Sequence, residues 1–440
     1  MPYSVALGHR GGNQYLKVLQ YKWSMIVLLT GIATINYADR TAISSVFPLL
    51  RSDLHSSDVA LAAIGSLFLW TYAISSPIWG YLADRVSRSR MIVWSLSTWS
   101  LVTLATAFVQ STDQLLATRI MLGLAESAYL PASLALIADY HPKESRGTAI
   151  GFHLAGLNLG LVVGGVGAGY VGQHYGWRLS FLMLGGVGLV FAGLARLFLR
   201  DAPVTAPRVS DSSISRTGMS RTGWRDVLAV IRIPSYLVLI AEAMLQATGL
   251  WTFFNWLPLY FTETFHMSLA GSGFSGTFML QVAAVVGITL GGYVSDKVAG
   301  RNSARRMLVM SICYLIAAPF LLSFGGNASY LLVSASIFLY SLFVTLGQAN
   351  ESPLICDLLP PRLRSTAFGL WNLANCTTGG IGILATGYLK RDYGLGGIFH
   401  YLAGLVLLAA CLTLIGYLVF LRRDLERSSL QLAKEVPVSS

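Results

Sequence analysis

Four ionisable residues fall inside two strongly apolar stretches of this 440-residue chain. Asp39 and Arg40 lie in TGIATINYADRTAISSVFPLL, and Arg119 and Glu126 in LLATRIMLGLAESAYLPASLALIA. A charge at the centre of a bilayer costs about 2.5 kcal/mol or more, so such residues persist mainly where they bind or carry something. Arginine stays charged at any physiological pH and offers a planar fork to a carboxylate, which makes Arg119 the first candidate for holding an anion. Burial favours a neutral carboxyl group and a neighbouring arginine favours a charged one. Glu126, set among glycine and alanine, is therefore a candidate for gaining and losing a proton. One acid and one base on each of two helices points to a proton site beside an anion site.

Spacing constrains the partners. Arg119 and Glu126 are seven residues apart, which puts them on one helix face but about 10.5 Å apart along the axis. Neither reaches the other directly, so Asp39 and Arg40 are the available partners. Neighbours in a helix point about 100° apart, so Asp39 and Arg40 can face different helices. A fixed salt-bridge network locking the first and fourth spans is the purely structural alternative. The functional expectation is that protonation of Glu126 frees Arg119 for a substrate carboxylate.

The elements that must position these residues are membrane spans. The chain is 54% hydrophobic and 12% charged, with mean hydropathy +0.60; a soluble domain carries about twice that charge. Twelve apolar runs are long enough to cross a hydrocarbon core of about 30 Å. They lie near 23–49, 58–83, 90–110, 113–140, 146–172, 177–200, 235–264, 269–294, 304–325, 328–358, 364–389 and 395–422. The net charge of +11 does not indicate nucleic-acid binding. Alternate loops hold only Arg51, Arg178, Lys390 and Arg391, and the remaining basic residues outside the spans sit on the other side. That bias predicts a cytoplasmic location for both termini. The first 22 residues are polar and basic, so the first span is expected to insert uncleaved. Cys313, Cys356, Cys376 and Cys411 all lie in apolar runs, which argues against a disulfide framework.

Residues 201–232 break the pattern with Ser, Thr, Pro and Arg and read as a cytoplasmic linker. The expected organisation is an all-α membrane protein: a six-helix half over 1–200, the linker, a second half over 233–422 and a cytoplasmic tail over 423–440. The halves repeat. GYLADRVSRSR after the second span matches GYVSDKVAGR after the eighth, pairing Gly80 with Gly292 and Asp84 with Asp296. HPKESRGTAIGF matches LPPRLRSTAFGL, pairing Arg146 with Arg364 and Gly151 with Gly369. Parallel repeats with a substrate site between them near the midplane are an established transporter plan.

Over nearly its whole length the chain resembles major facilitator superfamily transporters, whose loop motif between spans two and three is similar to GYLADRVSRSR, with Ser87 where glycine is usual. NYADR, SLFLWTYAISSPIWGYLADR, RIMLGLAESAYLP, YGWRLSF and FNWLPLYF resemble the anion:cation symporters, a group that includes sugar-acid, hexuronate and aromatic-acid permeases. The spinster-type lipid transporters share the Asn-x-x-Asp-Arg and Arg…Glu elements. The resemblance implies twelve helices in two pseudo-symmetric halves, proton coupling through Asp39 and Glu126, and substrate or charge-balance roles for Arg40 and Arg119. It also implies that the loop residues Gly80, Asp84, Arg85, Arg88, Gly292 and Asp296 hold the cytoplasmic side closed, with glycine allowing close approach and Asp84 accepting from helix N-terminal amides of the other half.

Further lining candidates are Tyr37 and Tyr72 in the first half, and Gln246, Trp251, Asn255, Asn372 and Asn375 in the second. Asn375-Cys376 stands where the anion group commonly has a Gly-Asn pair, and span seven lacks the arginine of that group's vesicular glutamate and phosphate carriers. Glu242 and Glu351 also lie in spans; Glu351 precedes Pro353, which should loosen the helix and suits a gating element. Gly156, Gly160 and Gly164 repeat every four residues in span five, as close helix packing requires. Antiporters of the superfamily that the chain resembles often carry a Gly-Pro pair in this span, and its absence here implies symport. The expected protein is a proton-coupled symporter of a small organic anion, such as a sugar acid, with protons as the coupling ion and no cofactor. It is not an enzyme: no nucleophile elbow, His-Glu-x-x-His or metal cluster occurs. The alternatives are a spinster-like lysolipid carrier and a membrane sensor that kept the fold. The expected partners are the anion and the lipid bilayer, the expected unit a monomer, and the expected location a bacterial inner membrane.

Overall fold

The computed structural model describes residues 9–83, 85–202, 224–300, 302–324 and 328–427. Every long element is a helix. The first half contains α1 (His9–Ser45), the short α2 (Phe47–Asp53), α3 (Asp58–Ala83), α4 (Arg88–Thr106), α5 (Thr112–Glu126), α6 (Tyr129–Tyr140), α7 (Lys143–Tyr175) and α8 (Trp177–Phe198). Residues 203–223 of the expected linker lie outside the described residues, and its end forms α9 (Trp224–Ile231). The second half contains α10 (Pro234–Phe265), α11 (Leu269–Ala299), α12 (Arg305–Ala317) running into a 3-10 turn at Ala318–Phe324, α13 (Tyr330–Gln348), α14 (Glu351–Leu358) and α15 (Pro361–Ile415). Gly394 interrupts α15 with φ 64°, which divides it into two helices, and a π-helical turn at Gly416–Leu421 extends the second. Spans four and ten are each made of two pieces, so the helices account for twelve spans. Large apolar side chains such as Leu331 and Val27 are over 70% exposed on the outside of the bundle, as a lipid-facing surface requires. The chain is a multi-pass membrane protein.

Both broken spans have the same cause. Proline cannot donate to the carbonyl four residues back, and its ring clashes there. Pro131 acts on Ser127, between α5 and α6, and Pro353 acts on Ala349, between α13 and α14. Each break lies beside a buried carboxylate, Glu126 or Glu351. Within the first half, α7 packs closely on α1 through the Gly156, Gly160 and Gly164 stripe. A Cβ at Gly164 would stand 2.2 Å from the Ala38 carbonyl oxygen, so the stripe sets how near α7 can come to the Asp39–Arg40 segment.

The halves meet at the end of the bundle away from the linker. There α3 packs on α15 and α7 on α11. Ser66 Oγ donates to the Gly380 carbonyl at 2.8 Å, Trp70 Nε1 to the Thr377 carbonyl at 3.0 Å, and the Leu269 amide to Gln173 Oε1 at 3.0 Å. An ion network closes over this contact. Arg51 bonds Asp58 and reaches Glu263 at 2.9 Å, and Lys390 reaches Glu263 at 2.7 Å and Asp58 at 3.2 Å. Nearby, Arg178 and then the Trp177 indole bond Asp53 and hold its carboxyl below the usual range. At the linker-bearing end the described ion pairs stay within one half: Arg88 with Asp139, and Arg306 Nη2 with Asp296 at 2.9 Å.

The four-residue network is partly exposed, so each pair contributes at most about 1 kcal/mol. Glu263→Gln removes two of its contacts at once. We expect the closed end to open in a several-fold larger fraction of molecules, read as longer distances between spin labels at Ser52→Cys and Asp392→Cys in a background without the native cysteines. An unchanged distance distribution would assign the closure to the helix contacts alone.

Candidate functional site

The four intramembrane charges converge between α1, α3, α4 and α5. Asp39 and Arg40 diverge as neighbours on a helix should. Arg40 points toward α3 and α5: its Nε donates to Glu126 Oε2 at 2.9 Å and its Nη2 to Asn36 Oδ1 at 3.3 Å. The rings of Tyr37 (4.4 Å), Tyr72 (4.7 Å) and Phe68 (5.1 Å) surround the guanidinium, so cation–π attraction replaces part of its lost hydration. Asp39 points to α4, where Thr103 Oγ1 donates to its Oδ2 at 2.9 Å. Arg119 also turns to α4, donating from Nη2 to Thr106 Oγ1 at 2.8 Å, with the Phe181 ring 5.6 Å away. All four residues are buried or nearly so, yet Asp39 Oδ1, Glu126 Oε1 and Arg119 Nε have no hydrogen-bond partner.

This arrangement corrects one expectation. Glu126 is held by Arg40, not by Arg119, because the seven-residue spacing keeps Arg119 almost two turns away. A proton arriving on Glu126 would release Arg40 directly. Arg119 already has unused donor capacity.

A cavity opens between the halves beside this cluster. Its lining includes Tyr37, Arg40, Thr41 and Arg119 from the first half and Trp251, Phe254, Asn255 and Ile383 from the second. Phe68, Leu69, Ile64 and Leu122 complete mostly apolar walls. Both arginines reach the lining; Asp39 and Glu126 do not and sit behind them. Asn255 Nδ2 is buried and unpartnered, and its Oδ1 lies over Gly65, where a Cβ would come within 2.5 Å. Trp251 Nε1 donates to Asn375 Oδ1 at 3.2 Å, so Asn375 stands behind the tryptophan as a positioning group. Gln246 is buried with both amide atoms unpartnered, one layer away from the lining. Asn372 contacts Cys376 Sγ at 3.9 Å along its own helix and does not line the cavity.

The loop motifs are apart from one another in this conformation. A Cβ added at Gly80 or Gly292 would meet nothing within 4 Å, so the close approach expected there is absent. Arg85 stacks on Tyr81 at 3.6 Å, Arg88 bonds Asp139 and the Ala135 carbonyl, and Asp296 bonds Arg306 of its own half. Asp84 lies outside the described residues. The physical reason is that the halves are closed at the opposite end. Residues that the sequence did not single out are Thr103 and Thr106, ordinary hydroxyls in an apolar span, and the Arg51–Asp58–Glu263–Lys390 network, whose partners are distant in the chain.

Comparison with known proteins agrees with this geometry. The family model described as Major Facilitator Superfamily matches residues 29–340 and 277–439. The chain belongs to the Major Facilitator Superfamily. An "MFS-type efflux pump" of Mycolicibacterium smegmatis is 27% identical over 90% of this chain and 91% of its own. The "Probable galactarate/D-glucarate transporter GudP" of Escherichia coli is 24% identical over 93% of this chain and 95% of its own. Among solved structures, a bacterial homologue of the human lysosomal transporter spinster, inward-facing and unoccupied, superimposes with TM-score 0.76 at 19% identity, covering 93% of this chain and 98% of that one. This superfamily member is a membrane transporter and not an enzyme, and relatives named as anion and sugar-acid transporters span most of it.

Removing Arg40 alone would leave Glu126 buried without its cation, a defect that costs about 3–5 kcal/mol in soluble proteins. We expect Arg40→Met to lower the melting temperature in detergent clearly. Glu126→Gln should be milder, and the double variant Arg40→Met with Glu126→Gln should recover part of the loss. Additive losses would show that the two side chains do not depend on each other.

Proposed function

We propose that this chain is a proton-coupled symporter of a small organic anion that works by alternating access, with Glu126 and Asp39 as proton carriers and Arg119 as the primary anion ligand. The observation that carries the proposal is the placement of charge around the cavity. Two guanidinium groups reach the lining while both carboxylates stand behind them, so the space facing a substrate is electropositive. A carboxylate entering this space can take the unused donors of Arg119. Charge-assisted bonds of this kind are worth about 1.5–3 kcal/mol each. Protonation of Glu126 weakens its hold on Arg40 and adds a second guanidinium to the anion site. Occupancy by proton and by anion then favour each other.

The walls narrow the class of anion. Phe68, Leu69, Phe254, Trp251 and Ile383 provide apolar surface, whereas few uncommitted polar groups accompany the arginines. A polyhydroxylated sugar acid would leave many hydroxyls facing hydrocarbon, each carrying a desolvation cost. A monocarboxylate with an aromatic or aliphatic body fits better. The same apolar walls support a second reading, a lysolipid whose phosphate meets the arginines. With both termini in the cytoplasm of a bacterial cell, the end closed by Arg51, Asp58, Glu263 and Lys390 is the outer one, and this conformation faces inward.

The test is uptake into proteoliposomes under an imposed proton gradient, screened with aromatic acids, aliphatic acids, sugar acids, uronates and lysolipids. We expect accumulation of an apolar-bodied carboxylate, a loss of at least about 100-fold in Arg119→Ala from two lost charge-assisted bonds, and retained exchange without accumulation in Glu126→Gln. Gradient-driven accumulation by Glu126→Gln would remove that residue from coupling. Movement of lysolipids alone would move the function to the lipid carriers.

A further inference from the structure

The second half contains a buried acidic pair that the site above does not use. Glu242 on α10 is 0% exposed and neither carboxylate oxygen has a hydrogen-bond partner. Glu351 is the first residue of α14, 4% exposed, with Oε1 unpartnered. Glu351 lies near enough to Glu242 to be affected by its charge, and the Tyr314 hydroxyl of α12 lies near both. That hydroxyl is itself fully buried, faces Glu242 and closes no hydrogen bond. The Trp371 indole of α15 faces Glu351, again without closing a hydrogen bond. Cys313 of α12 is the other titratable group near Tyr314. On α13 a Cβ at Gly347 would come within 2.6 Å of the Tyr314 ring, so glycine there makes room for the tyrosine beside the acids. Among the described residues no cation faces either carboxylate.

The position of the pair is informative. In the first half, span one meets span four beside the proline-induced break, and the contact is an acid with a base, Glu126 with Arg40. In the second half, span seven packs on span ten beside the equivalent break, and the buried ionisable residues there are both acids, Glu242 and Glu351. Two carboxylates without a cation cannot both stay ionised in a water-poor site.

We propose that Glu242 and Glu351 form a second proton site, in the second half of the transporter, in which at least one of the two buried carboxyl groups carries a proton, with the Tyr314 hydroxyl beside them. On release the proton passes to water at the linker-bearing end, past the partly exposed Trp371, and one carboxylate then remains charged. Because α14 begins at Glu351, any straightening of the Asn350 break separates the pair. The site therefore couples protonation to the shape of span ten. Its role in transport rests on the proton-coupled reading above; its existence does not.

The experiment is infrared difference spectroscopy on the purified full chain in lipid, comparing light and heavy water. We expect a protonated-carboxyl C=O band that shifts in heavy water, that is reduced in both Glu242→Gln and Glu351→Gln, and that changes frequency in Tyr314→Phe, a variant that keeps the ring packing if the glutamine variants fail to fold. The band should be the same with sodium or choline as the added cation. A band untouched by all three substitutions would overturn the proposal, as would a band seen only when sodium is withheld, since the pair would then be a cation site. The two proposals separate cleanly: absence of proton-driven anion transport with the band intact removes the function proposed above, while loss of the band's dependence on Glu242 and Glu351 with symport intact removes this site alone.

Discussion

The ion pair between Arg40 and Glu126 is the contact on which the rest of the site depends. In a bundle surrounded by lipid neither group has water to fall back on, so each needs the other or a replacement. The surrounding structure is arranged to meet that need. Three aromatic rings enclose the guanidinium, and Asn36 takes one of its remaining donors. Pro131 ends α5 just beyond Glu126, and the glycine stripe of α7 lets α1 sit deeply enough to present Arg40 inward. Under the proposed coupling, a proton or an anion that enters would compete for the same few partners, so that a small local event would alter the packing of whole helices.

The repeat gives the two halves the same skeleton and different chemistry. Both have a span broken by proline beside a buried carboxylate. In the first half a cation on span one completes the contact; in the second half another acid stands there instead. The first half thus holds the anion-attracting charges, and the second contributes mainly apolar and amide surface to the cavity. At the closed end the relation is reciprocal: each half supplies one acid and one base to the Arg51–Asp58–Glu263–Lys390 network. That network is exposed enough to be weak pair by pair, which would suit a gate under the proposed alternating access.

The apolar walls and the two arginines also restrict one another. Arginine in an apolar cavity without an anion is poorly solvated, so the proposed binding of a carboxylate would relieve that cost. An apolar substrate body completes the exclusion of water and strengthens the charge interaction through the low local dielectric. The same combination would accept the head and tail of a lysolipid, which is why cavity composition and not the arginines alone separates the two kinds of substrate.

Hydropathy and the repeat were sufficient for the twelve spans, the two halves and the identity of the four intramembrane charges, because a bilayer penalises polar residues at every position and the pattern is therefore local in the chain. The seven-residue spacing of Arg119 and Glu126 already ruled out a direct pair. Which partner each would take was decided only by the fold. Arg40 with Glu126, Thr103 with Asp39 and Thr106 with Arg119 join residues 86, 64 and 13 positions apart, and helix rotation sets them. The loop motifs were legible as a repeat, but whether they touch depends on which end is closed. The network at the other end escaped notice because Arg51 and Lys390 look like ordinary loop cations until the halves are brought together. Glu242 and Glu351 were visible as isolated acids in spans; only the packing of α10, α12 and α14 makes them a pair. Sequence records how much each residue dislikes lipid, and tertiary structure alone determines which other residue relieves that cost.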